Sequence, residues 1–140
     1  MVKDGAPIRP LPDIEGKMEP FWQATLRGEL VLQRCSRCGR YRFPAAECCV
    51  ECLDGELAWT RVSGRGVVYS FVAIHHALDP YFAARVPYVV ADIQLEEGPH
   101  MTSTVVGVVP HELRIGAAVA VSFDAASDAL RLPVFRLTAD

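Results

Sequence analysis

A chain of 140 residues, 51% apolar and 22% charged with a net charge of −3, is long enough for one domain or for two small modules sharing a core. That apolar share excludes a disordered chain. The slightly negative balance argues against a dominant nucleic-acid partner, whose phosphates call for a basic surface.

Residues 1–17 are rich in proline and charge and show no periodicity. They predict an extended tail without its own core, ordered only by lying on another surface. No basic-then-apolar stretch reads as a signal peptide, and no apolar run approaches the ~18–20 residues that span a bilayer. A cytoplasmic protein with no membrane partner is therefore expected, with its thiols kept reduced.

Residues 19–27 predict a short helix. Pro20 suits the first turn, where its missing N–H costs nothing, and Gly28 suits the position just past the end. Phe21, Trp22, Ala24 and Leu26 give a wide apolar face. So short a helix is unstable alone and must dock, either on the protein's own ribbon and barrel or on a different chain. Residues 29–34 then read as a strand.

That strand runs into LQRCSRCGRYRFPAAECCVECLDG, residues 32–55. Two Cys-x-x-Cys pairs, Cys35/Cys38 and Cys49/Cys52, are the sequence form of a zinc ribbon. Gly39 permits the positive φ that the first knuckle needs. The second hook has no glycine directly after it, and Asp54-Gly55 supplies the turn. Four thiolates leave no open coordination position, so the expected Zn2+ is structural. Iron in a rubredoxin-like site is the alternative, since tetrahedral sulfur suits both metals. Cys48 offers a competing register for the second hook. A catalytic Cys48 would need a Cys-His-acid constellation, and none is readable around it. Arg27, Arg34, Arg37, Arg40 and Arg42 surround the first pair, either as a solvated face of mixed charge or as an anion or partner contact.

From residue 57 the pattern is β. The run 67–74 is apolar at both parities, as in a strand buried on both sides or bent at a barrel corner. Residues 78–85 contain a helical turn capped by Asp79, with Tyr81 and Phe82 beside it. Residues 88–95 alternate, with Val89, Ala91, Ile93 and Leu95 on one face. Residues 96–99 form a hairpin turn, 100–106 the return strand and 109–116 a connector with a turn from Pro110. Val119, Val121 and Phe123 point inward from the next strand. The last strand, 130–137, slips parity at Pro133, which predicts an edge position or a bulge. Five strands in so short a chain most economically close as an OB-type barrel, with an open sheet as the competing arrangement. The fold expected is mainly β: tail 1–17, helical arm and rubredoxin-like ribbon 18–56, five-stranded OB-fold 57–140.

His75 and His76 are adjacent, so a regular strand points them to opposite faces and they cannot share a metal. A strand end reaching solvent or a partner is expected, with a general base as the alternative. His100 and His111 carry no readable signal. No phosphate loop, nucleophile elbow or paired-carboxylate motif is present. The strands that would face a nucleic acid on an OB barrel offer one aromatic, one histidine and no lysine or arginine, against single-strand binding.

With both modules placed, the chain resembles the acyl-CoA-associated proteins known as the domain-of-unknown-function-35 family. The resemblance covers residues 19–137 and rests on PFWQATLRGEL, QRCSRCGRYRFP, CVEC, VSGRGVVYSF, VPYVVADIQLEEGP, LRIG and LPVFR in that order. Each is unspecific alone; their order is not. Cys48, Val50 and Leu53 depart from the family's usual residues, and only Cys48 bears on the metal register. The resemblance implies a non-catalytic accessory subunit, with activity in a partner: a thiolase-fold acyl-CoA enzyme such as an acyltransferase or a steroid side-chain retro-aldolase. It implies that the subunit stabilises the partner and helps shape the acyl-CoA channel. A stand-alone acyl-CoA binder, a subunit of an acyl-CoA hydratase and a single-strand-binding OB module are the alternatives. Expected metal ligands are Cys35, Cys38, Cys49 and Cys52. Expected partner or acyl-CoA contacts are Phe21, Trp22, Arg37, Arg40, His75, His76, Tyr81 and Phe82.

Overall fold

The computed structural model describes residues 7–53 and 55–138. Helix α1, Glu19–Leu26, starts with Pro20 in its first turn and stops at Gly28, whose φ of +72° only glycine adopts readily. Its inner face is Phe21, Ala24 and Thr25, all buried. Thr25 Oγ1 donates to the Trp22 carbonyl at 2.7 Å and accepts the Arg131 N–H at 3.3 Å, fastening the helix to the far end of the chain.

Strand β1, Val31–Cys35, is the middle of a three-stranded antiparallel sheet, flanked by β2, Tyr41–Arg42, and β3, Leu57–Arg61. Thus 57–61, read from the sequence with the barrel, pairs along its whole length with the ribbon strand β1. The second sheet holds β4 (Arg65–Ile74), β5 (Tyr88–Leu95), β6 (His100–Ser103), β7 (Ala118–Ala125) and β8 (Arg131–Leu137), in the order β6-β5-β4-β7-β8. Helix α2, Pro80–Ala83, lies between β4 and β5, and the Asp79 carboxylate caps it by accepting the Tyr81 N–H at 2.9 Å.

The five-stranded sheet curls until its ends meet. Phe135 donates to Thr104 at 2.9 Å, Val106 donates to Phe135 at 2.8 Å, and the Ser103 hydroxyl donates to the Pro133 carbonyl at 2.8 Å. These bonds satisfy backbone groups that an open edge would leave bare, and they decide for an OB barrel over an open sheet. The register of β8 with β7 runs unbroken past Pro133, so the parity slip is not a bulge, and the outer side of β8 there is the one that meets 103–106 and closes the barrel. The bulge lies instead in β4, between Val68 and Ser70. It bends that strand, which is why its apolar residues occupy both parities: Val68 is buried, whereas Tyr69 and Val72 are each 56% exposed.

One core serves all parts. Phe21 from α1, Leu30 and Leu32 from the ribbon, and Val68, Ile93, Val119 and Phe135 from the barrel belong to a single buried cluster. The described part of the tail lies on the protein's own surface: Arg9 pairs with Asp124 at 2.9 Å and sits over the Tyr81 ring, and Lys17 pairs with Glu47 at 2.6 Å. Among the described residues no helix is long and apolar enough to cross a membrane.

Candidate metal centre

Each cysteine hook is a tight turn whose backbone N–H groups point at sulfur. Cys35 ends β1 and the chain reverses at once, with Cys38 N–H 3.5 Å from Cys35 Sγ and Gly39 N–H donating to the Cys35 carbonyl at 3.0 Å. Gly39 follows the hook at φ +75°. The second hook repeats this without a glycine. Leu53 N–H donates to the Cys49 carbonyl at 2.8 Å and Leu53 itself takes φ +62°. The turn expected at Asp54-Gly55 is therefore made one position earlier by Leu53; Asp54 lies outside the described residues. A leucine there is strained, because its Cβ crowds the carbonyl oxygen. The side chain is 74% exposed and contributes little in return. Leu53→Gly is expected to stabilise the zinc-loaded protein by about 1 kcal/mol, read as a thermal midpoint raised by a few degrees. An unchanged or lower midpoint would contradict it.

The hooks face each other. Cys35 Sγ lies 3.6 Å from Cys52 Sγ, Cys38 Sγ lies 3.6 Å from Cys49 Sγ, and all four sulfurs fall within 4.8 Å of one another. A tetrahedron with Zn–S arms of ~2.3 Å has edges of ~3.8 Å, so the sulfurs stand where zinc needs them. Gly55 confirms how closely the shell is built: a Cβ there would strike Cys35 Sγ and come within 3.3 Å of Cys52 Sγ. The donor set is all thiolate. Cys35, Cys38, Cys49 and Cys52 would hold the ion, and a bound zinc supplies a cross-link between the hooks with no position left for substrate.

The field at the sulfurs favours thiolate where the N–H groups converge. The Cys52 N–H, helped against burial by that of Glu51, holds Cys49 down to about 6. The Cys38 N–H, opposed by burial and helped by that of Arg37, lowers Cys35. Cys38 is the reverse. The Arg40 N–H favours its thiolate, but burial and the neighbouring sulfurs outweigh it and push the thiol up to about 11. A cation at the centre removes that conflict by drawing all four sulfurs to the charged form. Cys48 is exposed and outside the cluster, so the four grouped sulfurs include Cys49 and not Cys48. Gln33, buried on β1, accepts the Ala46 N–H at 2.8 Å and holds the loop between the hooks.

The other expected site residues do not form one surface. Phe21 was expected at a partner contact, and the structure corrects this. It is 2% exposed, packed edge-on to Trp22 and against Phe43 at 5.4 Å, because the amphipathic helix buries its aromatic face in the chain's own core. Trp22 is half-buried beside it. Arg37 and Arg40 are exposed, and Arg40 lies 3.5 Å from Glu51. A hollow of about 620 Å³ between the ribbon and the β5–β6 turn is lined by Arg40, Arg42, Glu97 and His100. Tyr81 and Phe82 line a different hollow of about 530 Å³, where Arg85 stacks on Tyr81 at 3.6 Å. The two hollows share no lining residue. His75 and His76 are exposed just past the end of β4, and among the described residues neither belongs to a cluster of three or more metal-binding side chains. Sequence reading missed the pairing of His100 Nδ1 with Asp92 at 2.8 Å, with the Tyr69 ring edge-on to the imidazole. Neighbouring strands bring the three together, so no sequence spacing announces them.

Two family models match in tandem: the ChsH2 rubredoxin-like zinc ribbon domain over residues 22–58, and the ChsH2 C-terminal OB-fold domain over residues 59–124. A "Probable enoyl-CoA hydratase alpha subunit" of Thermomonospora curvata is 37% identical over 131 residues, covering 92% of this chain and 40% of that protein. The chain thus spans less than half the length of that relative. A "DUF35 domain-containing scaffold protein" of Methanocaldococcus jannaschii is 37% identical over 95 residues, covering 67% of each. Among solved structures, a chain of "Ltp2-ChsH2(DUF35) aldolase" superimposes with a TM-score of 0.82 at 35% identity, over 91% of this chain and 98% of that one.

Proposed function

We propose that this chain, which belongs to the ChsH2 (DUF35) family of zinc-ribbon and OB-fold proteins, is a non-catalytic accessory subunit that binds and stabilises a thiolase-fold acyl-CoA enzyme. The observation that carries this is the likeness, across nearly the whole of both chains, to a chain solved in an aldolase whose name couples two proteins. The chemistry supports it. A zinc closed by four thiolates is a brace, and it offers no Lewis-acid position. The three parts of the chain share one core, so the zinc fixes the ribbon relative to the barrel and gives a partner a rigid surface.

The test is reconstitution with thiolase-fold acyl-CoA enzymes of the same organism. The enzyme alone is expected to be poorly soluble or weakly active, and adding the chain to raise activity about tenfold or more, with saturation near one equivalent. Turnover of an acyl-CoA by this chain alone, or an enzyme equally active and stable without it, would contradict the reading. The hydratase relative supports a second reading, in which the same module serves an enoyl-CoA hydratase. Replacing the partner in the assay by an enoyl-CoA hydratase of the same organism separates the two.

A further inference from the structure

The outer half of β4 is open on one side. β4 pairs with β5 along its length, but with β7 only from Arg65 to Val67. Two bonds of Val68, its N–H to Ala117 at 3.0 Å and its carbonyl from Gly116 at 2.7 Å, end that pairing. Among the described residues no backbone hydrogen bond reaches 70–74 from the side away from β5. Natural sheets guard such edges with lysine, proline or inward charges. The run from Gly66 to Ile74, GVVYSFVAI, has none of these, and its one guard is the bulge between Val68 and Ser70, which leaves 70–74 beyond it bare.

Beside the open edge lies an apolar groove of about 390 Å³. Phe71, Ala73 and His75 form one wall, and Val109, Pro110, His111, Leu113 and Arg114 from the connector form the other. An unpaired edge with a groove for alternate side chains is the form taken by sites that bind by strand addition: the main chain gives affinity and the groove gives selectivity. The charged or ionisable groups lining the groove are His75, His111 and Arg114, with no acid among them. A second copy of this edge would bring none either, since residues 66–78 hold no Asp or Glu.

We infer that the free half of β4 is the docking edge for the acyl-CoA enzyme, which adds an extended segment with apolar side chains at alternate positions and an acidic flank. This rests on the accessory-subunit reading and names the surface it uses.

The experiment compares backbone amide exchange over residues 70–74 in the full zinc-loaded chain, alone and with thiolase-fold acyl-CoA enzymes of the same organism. Amides on the free edge are expected to slow about tenfold or more on binding. Ala73→Lys, which places a charge in the groove, is expected to weaken binding about tenfold or more, while Ala73→Ser binds as the parent does. Zinc content and melting midpoint check that both variants fold. If the complex forms but 70–74 exchange as before, the docking edge is wrong and the accessory-subunit reading stands. If no complex forms, both fall. A parent chain that sediments as a dimer, and becomes monomeric in Ala73→Lys, would assign the edge to a second copy and overturn the inference.

Discussion

Stripping the zinc with a chelator, or replacing Cys49 by serine, is expected to unfold the ribbon and to lower the melting midpoint of the whole chain. The size follows from what holds residues 35–55 together. Between the hooks lie only short turns and the two-residue strand β2, with the half-buried Tyr41 and Phe43 as apolar anchors. Zinc binding in small modules is worth on the order of 10–16 kcal/mol, comparable to the entire stability of an ordinary domain. Without the ion, four sulfurs 3.6–4.8 Å apart lose the positive charge that draws them together, and any two ionised thiolates among them repel. Leu30 and Leu32, on the ribbon side, sit in the barrel's own core, so the loss spreads beyond the hooks. Cys48→Ser is the matched control. It removes an exposed sulfur one residue away and is expected to keep one zinc per chain and the parent's midpoint. Elemental analysis with thermal melts reads both results. Loss of zinc from Cys48→Ser together with retention in Cys49→Ser would reverse the register.

Phe21→Ala is expected to cost about 3–5 kcal/mol, the range for deleting a buried phenylalanine. The ring is 2% exposed and joins three parts of the chain: its own helix through Trp22, the ribbon through Phe43, and the core shared with the barrel. Collapse around the vacancy is limited because the helix is also held by Thr25, whose hydroxyl accepts the Arg131 N–H. In denaturant the midpoint is expected to fall sharply with the slope unchanged. Trp22→Ala, at a half-buried ring, is expected to cost less. A Phe21→Ala change below about 1 kcal/mol would mean that the ring is not the joint the packing indicates.

What the sequence made legible were features written in local chemistry. Pro20 and Gly28 bracket α1, Asp79 caps α2, the alternation of Val89, Ala91, Ile93 and Leu95 matches the buried face of β5, and the cysteine spacing matches the four-sulfur cluster. Features decided by distant partners were not legible. Strand β3 joins β1 because Val31–Cys35 offers it an edge, and nothing within 57–61 says so. The barrel closes through Thr104, Val106 and Phe135, residues about thirty apart in the chain. The orientation of Phe21 depended on whether Phe43 and the core would receive it, and a helical pattern is the same for an internal face and an external one. The knuckle turn at Leu53 escaped notice because a residue other than glycine holds the left-handed conformation. The open edge of β4 is visible only once β7 is seen to leave it at Val67.

The most direct measurement is native mass spectrometry of the chain co-expressed with a thiolase-fold acyl-CoA enzyme of the same organism. The expected result is a hetero-oligomer whose mass includes this chain with one zinc ion per copy, dissociating to free enzyme and zinc-loaded subunit on activation. Finding the zinc-loaded chain only as itself, with the enzyme intact and fully assembled without it, would contradict its role as a zinc-braced accessory subunit.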